Sequence, residues 1–207
     1  VLATVLPTGS AAVAELSARH LQDLADRPIP EGLSICALRR DDGRLAVFDG
    51  ADRPDVDLPT AVAASCAVPG YLSPVTVDGV VHVDGGLHSP TNADVLVGRD
   101  LDLVIVVSPM SGRSVGFDAG IRAVAGGRLH AERRALEAAG TEVVVFEPHR
   151  RAVRAMGVNP MAEARTASVV RAAFFEAGEQ LAQPAVRRAL AGLGSRAMFP
   201  AAGASAA

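Results

Sequence analysis

Hydrophobic and polar positions along this chain follow two different periods, and the points where the period changes mark its elements. From Ala11 to Ala25, apolar residues at Val13, Leu16, Leu21 and Leu24 predict a helix that ends before Pro28 and Pro30. Leu33 to Leu38 is apolar and β-prone, Asp42-Gly43 is a turn dipeptide, and Arg44 to Phe48 resumes the strand pattern, which together predict a hairpin. Asp49 to Asp57 reads as a loop. Leu58-Pro59-Thr60 then opens an Ala-rich helix that must stop near Pro69-Gly70. Val75 to Val77, Asp78-Gly79 and Val80 to Val83 predict a second hairpin that runs straight into Asp84-Gly85-Gly86.

The second half reads differently. Leu101 to Val107 is the densest β-branched run and predicts a strand buried on both faces. Gly116 to Gly140 has helical spacing with Arg-Glu pairing on its outer side, and Thr141 to Phe146 is another apolar strand, so strand, helix and strand form a parallel crossover. Ala162 to Leu181 predicts a long helix, with Pro184 to Leu193 as a short continuation. One domain is expected over residues 1–193, with 194–207 a disordered tail too poor in apolar bulk to pack.

Composition narrows the function classes. A chain of 207 residues, 49% hydrophobic and 21% charged, can bury a core and is too apolar for a disordered protein. It holds no uncharged apolar run of about 18 residues that would cross a membrane. A net charge of -3 and only 3% aromatic residues argue against a nucleic-acid partner. All basic residues are Arg, which reflects codon bias before function. Cys36 and Cys66 lack metal spacing and lie in apolar stretches, where buried thiols and a reducing, cytoplasmic compartment are the expectation. The first residues, Val1 to Pro7, have neither the basic start nor the apolar length of a signal peptide, and the chain reads as if it began inside a longer sequence.

Four groups of residues are candidates for chemistry. Asp84, at a strand end before Gly85 and Gly86, puts a carboxylate on a turn that other backbone can approach closely, although those three residues alone also describe an ordinary Asp-Gly turn. Gly112-Arg113-Ser114-Val115-Gly116 fits the G-x-S-x-G pattern of a nucleophile elbow. Ser108 to Ser111 separate it from the strand, however, and Pro109 breaks the elbow geometry, so a surface loop is the better reading of Ser114. His82, Asp84 and His88 are three ligand types within one short stretch, but no Cys or Glu lies nearby to complete a metal site, and none is expected. His149, Arg150, Arg151 and Arg154 form a basic cluster that reads as a solvated loop and helix face, with lipid headgroups as the sharper alternative.

Two of these stretches resemble a family when taken together. Ala63-Ala64-Ser65-Cys66-Ala67-Val68-Pro69-Gly70-Tyr71-Leu72-Ser73-Pro74-Val75, followed after a short hairpin by Val83-Asp84-Gly85-Gly86, is similar to the downstream half of patatin-like phospholipases. In that family an A-S-x-A-x-P-x-[FY] segment precedes a D-G-[GA] motif at about this distance. Ser89-Pro90-Thr91-Asn92-Ala93-Asp94 and the strand up to Val107 continue the likeness, which covers roughly Leu33 to Glu176.

The resemblance implies a three-layer α/β/α hydrolase fold, here N-terminally incomplete, and acyl-ester hydrolysis of lipids by a Ser-Asp dyad without a cofactor. It also implies a lipid or acyl-ester substrate met at a surface, with peripheral membrane contact. Asp84 matches the dyad aspartate, and Gly85 and Gly86 match the rest of its motif. The family's serine sits on a G-x-S-x-G elbow upstream of the aspartate, but here Ser10, Ser17, Ser34, Ser65 and Ser73 all lack the flanking glycines. Ser114 lies downstream, against the family order. The expectation is therefore a hydrolase whose nucleophile and oxyanion loop lie outside these residues and whose 207-residue form is inactive alone, with apolar sheet edges that drive association. The competing readings are a catalytically inactive domain that binds lipid or a protein partner and, last, a metal-dependent hydrolase using His82, Asp84 and His88.

Overall fold

A computed structural model of the chain describes residue 9 and residues 27–53, 55–112, 118–157 and 163–195. The helix expected over Ala11 to Ala25, Ser114 and the end of the chain beyond residue 195 lie outside the described residues. The chain forms two compact units, Val1–Asn92 and Ala93–Ala207.

The first unit is built on two hairpins. β1 (Ser34–Arg39) pairs antiparallel with β2 (Leu45–Asp49), and β3 (Val75–Val77) pairs antiparallel with β4 (Val80–Asp84). Both turns were legible because Asp-Gly tolerates the left-handed backbone that a tight hairpin needs: Asp78 has φ 49° and Gly79 φ 76°. Pairing of β1 with β4 joins the hairpins into one sheet of order β2-β1-β4-β3, in the register Ala37 to Asp84, Leu38 to Val83 and Arg39 to His82. β4 is thus an inner strand.

One helix, α1 (Leu58–Ser65), packs on this sheet. The Asp57 carboxylate caps it by accepting from the Thr60 amide at 2.8 Å, and Pro59 lies in the first turn, where no amide partner is needed. Its inward face is nearly all alanine: Ala61 and Ala64 are fully buried with Ala37 and Phe48. The small side chains let the helix backbone approach the sheet closely, and Ile29, Val56, Leu58 and Val77 fill the margins.

The second unit holds the expected crossover. β5 (Leu103–Val107) and β6 (Glu142–Phe146) are parallel and in register from Leu103 opposite Glu142 to Val107 opposite Phe146, with α2 (Ala119–Ala138) between them in sequence. Val104 and Val106 pack with Ala93, Leu129 and Leu136. Burial of β5 on both faces is corrected: Ile105 and Val107 are exposed, because the helix covers only the face to which Val104 and Val106 point. The Arg and Glu residues of α2 divide in the same way. Arg133 and Glu137 pair on the outside at 2.7 Å, whereas Arg122 and Glu132 are buried. Arg122 bonds Asp118 and the carbonyls of Pro109 and Ser111, fastening the turn after β5 to the helix.

The basic cluster forms a helix, α3 (Arg150–Met156), that the sequence pattern did not separate from a loop. Its amino end is held from outside. Buried Glu176 on α4 (Thr166–Leu181) accepts from the amides of His149, Arg151 and Ala152, and Gln180 exchanges two hydrogen bonds with the Glu147 backbone. α4 therefore buries polar residues while Val170, Phe174 and Phe175 are exposed. Helix α5 (Pro184–Ala191) follows, and Gly192–Ser195 form a 3-10 turn where the tail was expected to start. Among the described residues, no helix is long and apolar enough to cross a membrane.

Candidate active site

Asp84 closes β4 at the point where the sheet gives way to a tight turn. Its amide donates to the Ala67 carbonyl at 3.0 Å, so the residue is tied both to β1, through Ala37, and to the segment after α1. The next three residues, Gly85–Leu87, form a 3-10 turn. One Asp84 carboxylate oxygen, Oδ1, accepts from the Gly86 amide at 2.6 Å, which caps that turn and fixes the side-chain direction.

Each glycine of the motif has its own steric reason. A Cβ on Gly85 would stand 2.3 Å from the Cys36 carbonyl oxygen on β1, a distance no side chain can tolerate without moving backbone. A Cβ on Gly86 would meet only Asp84 Oδ1, at 2.9 Å, so a methyl there presses on a side chain that can rotate. Position 85 is therefore closed to any side chain, whereas a methyl at position 86 can be accommodated.

The carboxylate lines a cleft of about 340 Å³ shared with Ser34, Cys36, Ser65, Gly86 and Asn92. Burial raises the proton affinity of Asp84 above the ordinary carboxylate value, and the Gly86 hydrogen bond only partly offsets this. The Cys66 thiol, at the end of α1, is pushed up as well, first by partial desolvation of its sulfur although the residue as a whole is exposed, and then by the negative charge of Asp84. Neither cysteine fits the expected buried thiol: Cys36 is half-buried and Cys66 is exposed.

The other candidates do not converge on this cleft. His82 is on the same strand two residues earlier, but it is buried with its ring 5.3 Å from that of Phe48, and desolvation lowers its pKa. The structure does not gather His82, Asp84 and His88 into a ligand set: among the described residues, no three His, Cys, Asp or Glu side chains stand close enough to hold a metal. Ser114 lies outside the described residues, as do Ser10 and Ser17. Ser73 donates to the Gly9 carbonyl at 3.2 Å, while Ser34 and Ser65 line the cleft with Asp84.

A second cleft, of about 320 Å³, is lined by Asp55, Asp57 and Asp78. Arg53 binds Asp55 and Asp78, and its guanidinium holds the Asp55 carboxyl below the usual range, which leaves this group a poor base. The two clefts thus differ in the direction in which their surroundings move a carboxylate. Asp55 is moved away from basicity and Asp84 toward it.

Sequence reasoning passed over Asn92, which is buried on the cleft wall. Its side-chain amide donates to the carbonyls of Gly85 at 3.3 Å and Ser89 at 2.7 Å. The only signal was an Asn in a Ser-Pro-Thr-Asn loop shortly after the motif, a type that accepts a left-handed backbone; here φ is 46°.

Residues 7–97 match the family model of patatin-like phospholipases, a family of lipid acyl hydrolases, and the matched stretch contains the whole Asp84 turn and Asn92. The match begins upstream of Leu33, where the likeness in the motifs starts, and ends well before Glu176, where that likeness ends. No curated protein matches the chain.

Proposed function

We propose that the protein is an acyl-ester hydrolase of lipids in which Asp84 is the carboxylate of a Ser-Asp dyad. The observation that carries this reading is a single carboxylate at the end of an inner strand, lining a cleft, held by one backbone amide and made more basic by burial. A serine hydroxyl is a weak nucleophile until a positioned base receives its proton. Asp84 takes that proton as the serine oxygen attacks the ester carbonyl carbon, and returns it to the departing alcohol when the tetrahedral intermediate collapses. Water then attacks the acyl-serine by the same route, and the fatty acid leaves. The intermediate's oxyanion needs backbone donors, which the family draws from a Gly-rich loop.

None of the serines upstream of Asp84 in these 207 residues carries the glycines of the family's nucleophile elbow. The same absence favours one other reading, a domain that binds lipid or a partner without catalysis. Labelling the natively expressed protein with a fluorophosphonate, which marks activated serines, separates the two. An adduct on a serine upstream of Asp84, with hydrolysis of a p-nitrophenyl ester and of phospholipid vesicles, is the expected result. No adduct and no hydrolysis would leave the binding domain, and an adduct on Ser114 would overturn the assignment of the nucleophile.

A further inference from the structure

We propose that Asn92 is a positioning residue for Asp84: its amide clamps the two carbonyls of the turn whose Gly86 N–H holds the carboxylate. The Gly85 carbonyl accepts the amides of His88 at 3.0 Å and Ser89 at 3.3 Å as well as Asn92 Nδ2 at 3.3 Å, while Ser89 O accepts the shorter Asn92 bond at 2.7 Å. One side chain therefore ties the start of the turn to its end. Gly86, whose amide faces Asp84 Oδ1, lies between the two clamped residues.

The orientation of the amide follows from its partners, because the reversed amide would set oxygen against two carbonyl oxygens. Asn92 Oδ1 is left buried without a hydrogen-bond partner. A buried acceptor with no partner costs stability, and so does a non-glycine residue with φ 46°. A packing role would be met as well by an apolar residue free of the first cost. The donor half of the amide, together with the readiness of Asn for a left-handed backbone, accounts for an amide at this position. Asp, equal in size, cannot substitute, since its carboxylate would face both carbonyls without a proton to give.

Loosening the clamp frees Gly86 to leave Asp84. Because that bond is what partly offsets the burial of Asp84, its loss drives the carboxyl further upward and lets the side chain turn. The groups that share the surroundings of Asp84 in this unit are the thiols of Cys36 on β1 and Cys66 after α1, with His88 on the turn itself.

The test is a carboxyl ¹³C titration of Asp84, together with the Gly86 amide shift, in the wild-type chain, Asn92→Ala and Asn92→Asp. Asn92→Asp preserves the volume but adds a carboxylate that by itself raises Asp84, so in this variant the Gly86 amide shift is the deciding readout, and it decides the matter should Asn92→Ala not fold. In both variants the account expects an Asp84 midpoint above that of the wild type and a Gly86 amide moved toward its unbonded shift. An unchanged Gly86 amide in Asn92→Asp would overturn the proposal, whatever Asn92→Ala does. These readouts are independent of activity, so they stand or fall apart from the hydrolase reading. Where that reading holds, kcat falls by about 10²-fold with KM unchanged, as expected for a misplaced base rather than a lost binding contact.

Discussion

The same dipeptide, Asp-Gly, occurs at Asp78-Gly79 and again at Asp84-Gly85, six residues further on, and the two copies do opposite things. At the first, glycine is needed for its backbone: Gly79 has φ 76°, and a Cβ there would meet nothing. At the second, glycine is needed for its size, because the Cys36 carbonyl occupies the space a Cβ would take. The aspartates differ in the same way. Asp78 is exposed and paired with Arg53, whereas Asp84 lines a cleft, is raised by burial and bonds only a backbone amide among the contacts that fix it. A turn becomes a site when neighbouring backbone closes on it and water is taken from its carboxylate.

Substitution at the two glycines should break that comparison most visibly. Gly85→Ala forces β1 away from β4 and should cost about 1–3 kcal/mol, the range for overpacking a closed space. Gly79→Ala meets no atoms and pays only for its left-handed backbone, about 1–2 kcal/mol. Urea midpoints at constant m-value measure both. Gly79→Asn should recover most of the loss, since Asn tolerates that backbone, whereas Gly85→Asn should be worse than Gly85→Ala. Equal recovery at the two positions would contradict the distinction.

The carboxylates sharpen it through pH. The folded-state pKa of Asp84 lies above its ordinary value of 3.8, so the folded protein binds the extra proton as pH passes through the interval between them. Stability contributed by this group falls as pH rises through that interval, and the cost persists at neutral pH. Asp84→Asn should therefore stabilise the fold at pH 7, with the gain vanishing below about pH 3.8. Asp78→Asn should show no such gain, only a slight loss of its exposed ion pair that salt suppresses.

An opposite pH effect belongs to His82. Burial lowers its pKa from the ordinary 6.5, so the unfolded chain takes up a proton first and stability declines as pH drops below that value. The slope cannot exceed about 1.4 kcal/mol per pH unit. His82→Phe, packed on Phe48, should remove this component, which thermal melts between pH 7 and pH 5 would detect.

Local chemistry decided how much of this was legible in the sequence. Both hairpins could be read because Asp42-Gly43 and Asp78-Gly79 announce their own turns, and the β5-α2-β6 crossover because apolar runs flank a helical period. The joining of the hairpins through Ala37 and Asp84 was not legible, since that pair is distant in sequence and no local pattern encodes it. Residues that serve distant backbone are hidden for the same reason. Glu176 and Gln180 look like the solvent face of α4 until the amides of His149, Arg151 and Ala152 are placed beside them. Asn92 was invisible as a clamp because its two carbonyl partners exist only once the turn has formed. Asp84 could be singled out because two motifs at the right spacing imply it, while its basicity depends on burial that no spacing reveals.

The central claim is that Asp84 acts as a base toward a serine. Its most direct test is ester hydrolysis by the natively expressed protein and its Asp84→Asn variant, which retains the Gly86 hydrogen bond and the shape of the turn. The account predicts a fall in kcat of about 10²–10⁴-fold in the variant, with folding at least as stable as that of the wild type at pH 7. A stable, folded Asp84→Asn protein that hydrolyses esters at the wild-type rate would contradict it.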